Sequence, residues 1–217
     1  MHYHLIFKDL DLAEHFTINV NNVDINGLSR DGSSLTVGAV HNLDLTMKVE
    51  SRSGFNLEDV ALVLSANDET VNTFTSSEGL TSAEFLRGSD IEIEATLNYD
   101  AASSNVTTSD ALDALRLSVG LETLSGTASP FDYIAADFNQ DGKLTSQDAL
   151  DILKYSSGMT TGSSPKWIFL DNSQNYSNLS SSNISYADGA TILNLISHKE
   201  LEFTGILVGD VNNSYIG

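Results

Sequence analysis

The chain has no cysteine, only two prolines and a single tryptophan in 217 residues, and 10 basic side chains against 30 acidic ones. Each shortage excludes something. Without cysteine there are no disulfides, thiolate metal sites or cysteine nucleophiles, and the usual stabiliser of small exported domains is missing. That leaves a bound cation as the substitute staple. A formal charge of −20 repels nucleic-acid phosphates and anionic membrane surfaces and makes divalent cations the natural counterions. The acids are spread evenly, 16 with 5 bases before Asn98 and 14 with 5 bases from there on, so only a local arrangement can mark a site. No run approaches the roughly 20 apolar residues of a transmembrane segment. The start, Met1 to Leu10, has neither a basic n-region nor an apolar h-region. If exported, such a chain is a piece of a longer protein or uses a C-terminal signal.

What is present is the profile of a folded protein, with 41% hydrophobic and 18% charged residues. The length suits one large domain or two small ones, and two is the preferred reading. Residues 1–98 read as β. Alternation runs through His4–Phe7, Phe16–Val20, Leu43–Val49, Val60–Leu64 and Ile91–Ala95, with turn signals at Asn26-Gly27, Asp31-Gly32 and Ser53-Gly54. Short strands at such spacing predict an antiparallel β-sandwich. One short helix is expected over Ser82 to Arg87.

Beyond Tyr99 the pattern changes. Val106-Thr107-Thr108-Ser109-Asp110-Ala111-Leu112-Asp113-Ala114-Leu115-Arg116 returns 38 residues later as Leu144-Thr145-Ser146-Gln147-Asp148-Ala149-Leu150-Asp151-Ile152-Leu153-Lys154, and each copy then reaches a glycine, Gly120 or Gly158, placed to end a helix. Leu112, Leu115 and Val119 in one copy, and Ala149, Ile152 and Leu153 in the other, recur at helical spacing. They predict two amphipathic helices packed on each other, with the leucines in the core. From Pro165 onward β character returns in Lys166–Leu170 and Leu201–Val208, around a Ser/Asn-rich stretch from Asn172 to Ser185 that reads as a long surface loop.

Ahead of the second helical copy, Asp137 to Asp148 fits a twelve-residue calcium loop position by position. Calcium takes six to eight oxygens, and such a loop offers them from alternate residues. Asp137, Asn139 and Asp141 supply side-chain oxygens and Lys143 its carbonyl. Gly142 permits the sharp turn, Leu144 anchors the loop, Thr145 is a further direct or water-borne ligand, and Asp148 closes the shell from the first helical turn. The usual closing residue is a longer glutamate. The first copy is one residue short and lacks the central Asp-Gly, so two readings stand: a non-standard site using Asp100, Asn105 and Asp110, or a plain helix N-cap. A third fragment, Gly209 to Ser214, looks like the start of another loop. Asp210 and Asn212 are candidates to complete the deficient first site, although a polar turn is the favoured reading.

Paired loop–helix units closed by aspartate, with Asp-Ala-Leu-x-x-Leu helices, resemble dockerin modules over about residues 99–160. The resemblance implies two calcium ions and attachment of a secreted protein to a partner. The strings Ala135–Gly142, Trp167–Asp171 and Gly205–Tyr215 are similar to the ends of very large adhesin-like surface proteins of aquatic bacteria exported by type I secretion. The longer spacing, the defective first loop and the β segment that follows depart from cellulosomal dockerins, so cohesin binding is not carried over.

The five histidines are scattered without metal-ligand spacing, and neither a nucleophile elbow nor a phosphate-binding loop occurs. Glu92 and Glu94 share a strand face, an arrangement more often solvated than catalytic. The fold expected is therefore mixed but mainly β: a sandwich over 1–98, a dockerin-like calcium-binding pair over 99–160, and a terminal β segment over 161–217 packed on both. The function expected is a non-catalytic, calcium-stabilised structural or protein-interaction module of an extracellular or cell-surface bacterial protein. It would have a protein or surface-ligand partner and neither nucleic-acid binding nor a membrane span. The alternatives are a carbohydrate- or other ligand-binding sandwich braced by calcium, or an accessory part of a secreted hydrolase.

Overall fold

The computed structural model describes residues 15–20, 23–25, 28–30, 33–38, 42–66, 69–100, 102 and 104–216. They fall into two compact units that divide between Asn42 and Leu43. In the first, β1 (His15–Val20) pairs antiparallel with β4 (Ser33–Gly38), and β2 (Val23–Ile25) with β3 (Leu28–Arg30). Both ladders keep one register: Val20 lies opposite Ser33, Val23 opposite Arg30 and Ile25 opposite Leu28. These strands pair with one another and with no other described strand. The strand expected at His4–Phe7 and the turns expected at Asn26-Gly27 and Asp31-Gly32 lie outside the described residues.

The second unit is mixed, with more strand than helix. Its first four-stranded sheet has the order β10-β12-β5-β8, from β10 (Trp167–Asp171), β12 (Lys199–Leu207), β5 (Asn42–Ser51) and β8 (Leu80–Leu86). Its second has the order β11-β9-β6-β7, from β11 (Ala190–Ile192), β9 (Ile91–Thr96), β6 (Ala61–Ala66) and β7 (Glu69–Phe74). The alternating residues Leu43, Leu45, Met47 and Val49 of β5, and Leu62, Leu64, Ile91 and Ile93 of β6 and β9, meet in one buried cluster. Period-two burial also explains β8. Ala83 and Phe85 point inward between exposed neighbours, so the helix expected over Ser82 to Arg87 is a strand.

One pairing departs from the expected antiparallel arrangement: β12 runs parallel to β5, with Leu201 opposite Met47 and Phe203 opposite Val49. A parallel partner needs a long crossover, and the chain between β5 and β12, with six further strands and three helices, supplies it. Every residue of β10 is buried, with Trp167 and Phe169 in the first cluster and Ile168 and Leu170 in a second cluster shared with the helices. A strand covered on both faces reads as a continuous apolar run. Residues 43–98 and 161–217 thus share a sheet, and β10 and β12 form the wall between two cores. The compact division at 42/43 lies apart from the boundaries read at 98/99 and 160/161.

The helices are α1 (Thr108–Ser118), α2 (Pro130–Ala136) and α3 (Ser146–Ser156), each opened by a capping box, Thr107 with Asp110, Ser129 with Asp132 and Thr145 with Asp148. At the ends of α1 and α3, Gly120 and Gly158 take φ of +78° and +72°. The next amide in each case reaches back to Arg116 or Lys154, a glycine-terminated helix end as read from the sequence. The leucine reading needs correction. Leu112, Leu115, Leu150 and Leu153 are 43–46% exposed, as is Val119 at 66%. The buried face of α1 is Ala111, Ala114 and Leu117, and that of α3 is Ala149 and Ile152. Alanines let the helices lie close, and the leucines flank that contact outside it. The Asn172–Ser185 stretch is also more than surface: Leu179 and Ile184 are buried in the second cluster.

Candidate metal centre

The end of α2 delivers Asp137, whose N–H still bonds to Tyr133 O, into the loop. Each alternate side chain then holds the amide of a later residue. Asp137 Oδ2 accepts from Gly142 N at 3.0 Å, Asn139 Oδ1 from Asp141 N at 2.9 Å and Asp141 Oδ1 from Lys143 N at 3.0 Å. Gln140 and Gly142 take φ of +58° and +83°, the left-handed turns that wind the chain back on itself. Leu144 is buried, and its N–H donates to Ser181 O, while Ile184 N donates to Gly142 O, so the 181–184 segment braces the loop from outside. Thr145 then caps α3. Asp148 is fully buried, its Oδ1 accepting from Asn139 N at 3.2 Å and its Oδ2 from Thr145 N at 2.9 Å. The third and twelfth residues are thereby drawn together.

Asp137 is 3% exposed, and its Oδ1 is buried with no hydrogen-bond partner. Burial pushes its carboxyl up to about 6 despite the Gly142 N–H, and the nearby Asp148 and Asp141 charges add to the rise. Among the described residues no ion pair reaches Asp137, Asp141 or Asp148. A cleft of 650 Å³ opens beside them, lined by Lys143, Lys166, Tyr186 and Asp188 among others. Burial and the Asp188 and Asp137 charges push the Tyr186 phenol up to about 12. Among the described residues no three Asp, Glu or His side chains converge as a ready-made metal cage. The loop's donors are mixed, three carboxylates with the Asn139 amide and the Lys143 carbonyl, and much of the carboxylate capacity is turned to backbone N–H groups. All are hard oxygens, a set that suits calcium or magnesium and not zinc.

The four residues assigned to a second site separate into three and one. Asp110 Oδ1 accepts from Asn212 N at 2.9 Å, and Ser214 Oγ donates to Asn105 O at 3.1 Å and to Asp210 Oδ1 at 3.0 Å. Asn105, Asp110 and Asp210 therefore meet. Asp100 instead caps its own turn, accepting from Ala102 N at 2.9 Å. Asp110 is fully buried, and burial raises its carboxyl while the Asn212 and Thr107 donors pull it down. Beside this cluster Arg52, from the end of β5, is buried with Nη1 on Asp132 Oδ1 at 2.8 Å and Nη2 on the carbonyls of Asp210 and Val211 at 3.0 and 2.9 Å. Nothing local marks that role, because Arg52 stands among turn residues. For α2, in contrast, the Ser129-Pro130 pair is a local cap signal, a serine N-cap followed by proline at the first helical position. Glu92 and Glu94 lie exposed on β9, and Trp167 is buried against Phe169 and Tyr215.

Comparison with protein-family models, with curated proteins and with solved structures finds no match.

Proposed function

We propose that this chain is a non-catalytic module of an extracellular or cell-surface bacterial protein, in which calcium at Asp137–Asp148 braces a structure used for protein interaction. In this reading the two four-stranded sheets act as a β-sandwich, and the α1 and α3 units act as a dockerin-like pair set against it. The observation that carries it is the Asp137 carboxylate, buried with one oxygen unpartnered at the centre of a loop whose other donors are oxygens. A buried anion without a cation is costly, and binding of a divalent ion offsets that cost. The interaction half of the reading is supported by the exposed Leu112, Leu115, Leu150 and Leu153, an apolar patch on a strongly acidic molecule. A sugar-binding alternative has less support, because the sole tryptophan is in the core instead of on a surface platform.

Thermal unfolding in calcium and in chelator tests it. A ligand at about a thousand times its dissociation constant adds roughly 4 kcal/mol, so the melting of residues 43–217 moves up markedly with calcium. Equal midpoints in the two buffers rule the reading out.

A further inference from the structure

Building on the calcium reading of Asp137–Asp148, we infer that the chain holds a second, discontinuous cation site. Its first half is Asp210–Tyr215 and its second half is Asn105–Asp110, one loop cut in two and reassembled by the fold. The contact pattern of the contiguous loop is reproduced across the cut. Asp137 Oδ2 takes the amide five residues on at 3.0 Å, and Asp210 Oδ2 likewise takes Tyr215 N, five residues on, at 3.0 Å. The fourth residue is left-handed in both, Gln140 at φ +58° and Asn213 at φ +57°. The third residue's amide closes onto the helix carboxylate in both, Asn139 onto Asp148 Oδ1 and Asn212 onto Asp110 Oδ1. That carboxylate's other oxygen takes the capping threonine's amide in both, Thr145 N at 2.9 Å and Thr107 N at 2.8 Å. Leu144 and Val106, just before the threonines, are both buried anchors.

By this alignment Asn105 occupies the place of Lys143 and offers its carbonyl, and Ser214 takes the place of Asp141. Ser214 Oγ lies 3.0 Å from Asp210 Oδ1 and 3.1 Å from Asn105 O, so the first-position carboxylate and the backbone carbonyl face one point. A separate observation points to a ligand there. The Asn212 side-chain oxygen, the third-position donor, is buried and accepts no hydrogen bond. In the contiguous loop its counterpart, Asn139 Oδ1, accepts Asp141 N. Asp110 and Asp210 are themselves 0% and 3% exposed. The donors are two carboxylates, an amide oxygen, a hydroxyl and a carbonyl. They form a calcium-type oxygen set with one carboxylate fewer than Asp137–Asp148, and Arg52 stands close by. The second site is therefore the weaker one. Bound there, the ion ties the segment after β12 to the start of α1.

Calcium titration of the full chain by calorimetry decides this. Wild type takes up two equivalents, and Asp141→Ala leaves the weaker one. Asn212→Ala, which keeps the backbone bond to Asp110, weakens only the second site by about tenfold or more, with the tighter site as the internal control of folding. Ser214→Asp supplies the missing carboxylate and tightens the second site by about tenfold, a gain that a merely structural turn would not give. One equivalent, removed by Asp141→Ala and untouched by Asn212→Ala and Ser214→Asp, overturns the split site and leaves the contiguous loop standing. No uptake of calcium at all overturns both.

Discussion

The two helical units start from nearly the same eleven residues and are served by their loops in different ways. Asp148 closes a loop that immediately precedes it in the chain, while Asp110 closes onto Asn212, a hundred residues further on. The charge balance differs as well. Among the described residues Asp137 has no ion-pair partner, whereas the segment at Asp210 is held through its carbonyls by the Arg52 guanidinium, itself paired with Asp132. Similar helix starts can thus be completed locally or from a distance. A helix-start carboxylate takes whichever loop amide the fold delivers, from the adjacent segment or from a distant one.

The largest effect is expected from Arg52→Met. It strips the cation from Asp132 and from the Asp210–Val211 carbonyls in a buried setting, where breaking such a pair costs about 3–5 kcal/mol. Urea denaturation of the full chain measures it, and a loss below about 1 kcal/mol would mean that Arg52 is not what holds the discontinuous half in place.

Next comes pH. In chelator, Asp137 carries a folded-state pKa of about 6 against an ordinary 3.8. The folded state therefore holds its proton more tightly than the unfolded one. Its contribution favours folding below about pH 4 and is lost as pH rises through about 6, a change of roughly 3 kcal/mol. Asp137→Asn removes that part of the slope, which denaturation at pH 4 and pH 7 reads directly. Calcium competes with the proton, so apparent affinity falls as pH drops below about 6.

If calcium occupies the contiguous loop as proposed, Asp141→Ala removes a direct ligand and leaves Asp137 and Asp148 without it. Calcium affinity at the contiguous loop should fall at least about a hundredfold, beyond the 10–100-fold typical of losing an outer partner. The smallest effects separate the two helices themselves. Asp113 is fully buried and accepts Leu124 N at 2.6 Å, so Asp113→Ala costs about 1–2 kcal/mol. Its counterpart Asp151 bonds Gln147 and Lys154 near the surface, and Asp151→Ala costs about 0.3–1 kcal/mol. Equal losses in the two variants would erase that distinction, and neither should alter calcium affinity at Asp137–Asp148.

The loop and both helix starts were legible because their determinants are short-range. Side chains two to five residues apart choose backbone amides, threonine caps and glycines end the helices, and none of that needs a distant partner. The leucines misled for an equally physical reason. Helical spacing says that Leu112 and Leu115 share a face with Ala111, and it does not say which edge of that face the core covers. The Ser82–Arg87 segment misled because six residues with three apolar positions, Ala83, Phe85 and Leu86, satisfy either period until a neighbouring strand selects one.

The sequence by itself determined the strands β5, β6, β9, β10 and β12, the capped helices α1 and α3, and the alternating oxygens of Asp137–Asp148. Each is encoded by periodicity or by capping within a dozen residues. Only the tertiary structure decided that β12 lies parallel to β5, that β10 and β12 separate two cores, and that Asp210–Tyr215 meets Asn105–Asp110. Those pairings join segments about a hundred or more residues apart. Their stability comes from burial of apolar surface and from a buried arginine, neither of which leaves a local pattern in the chain.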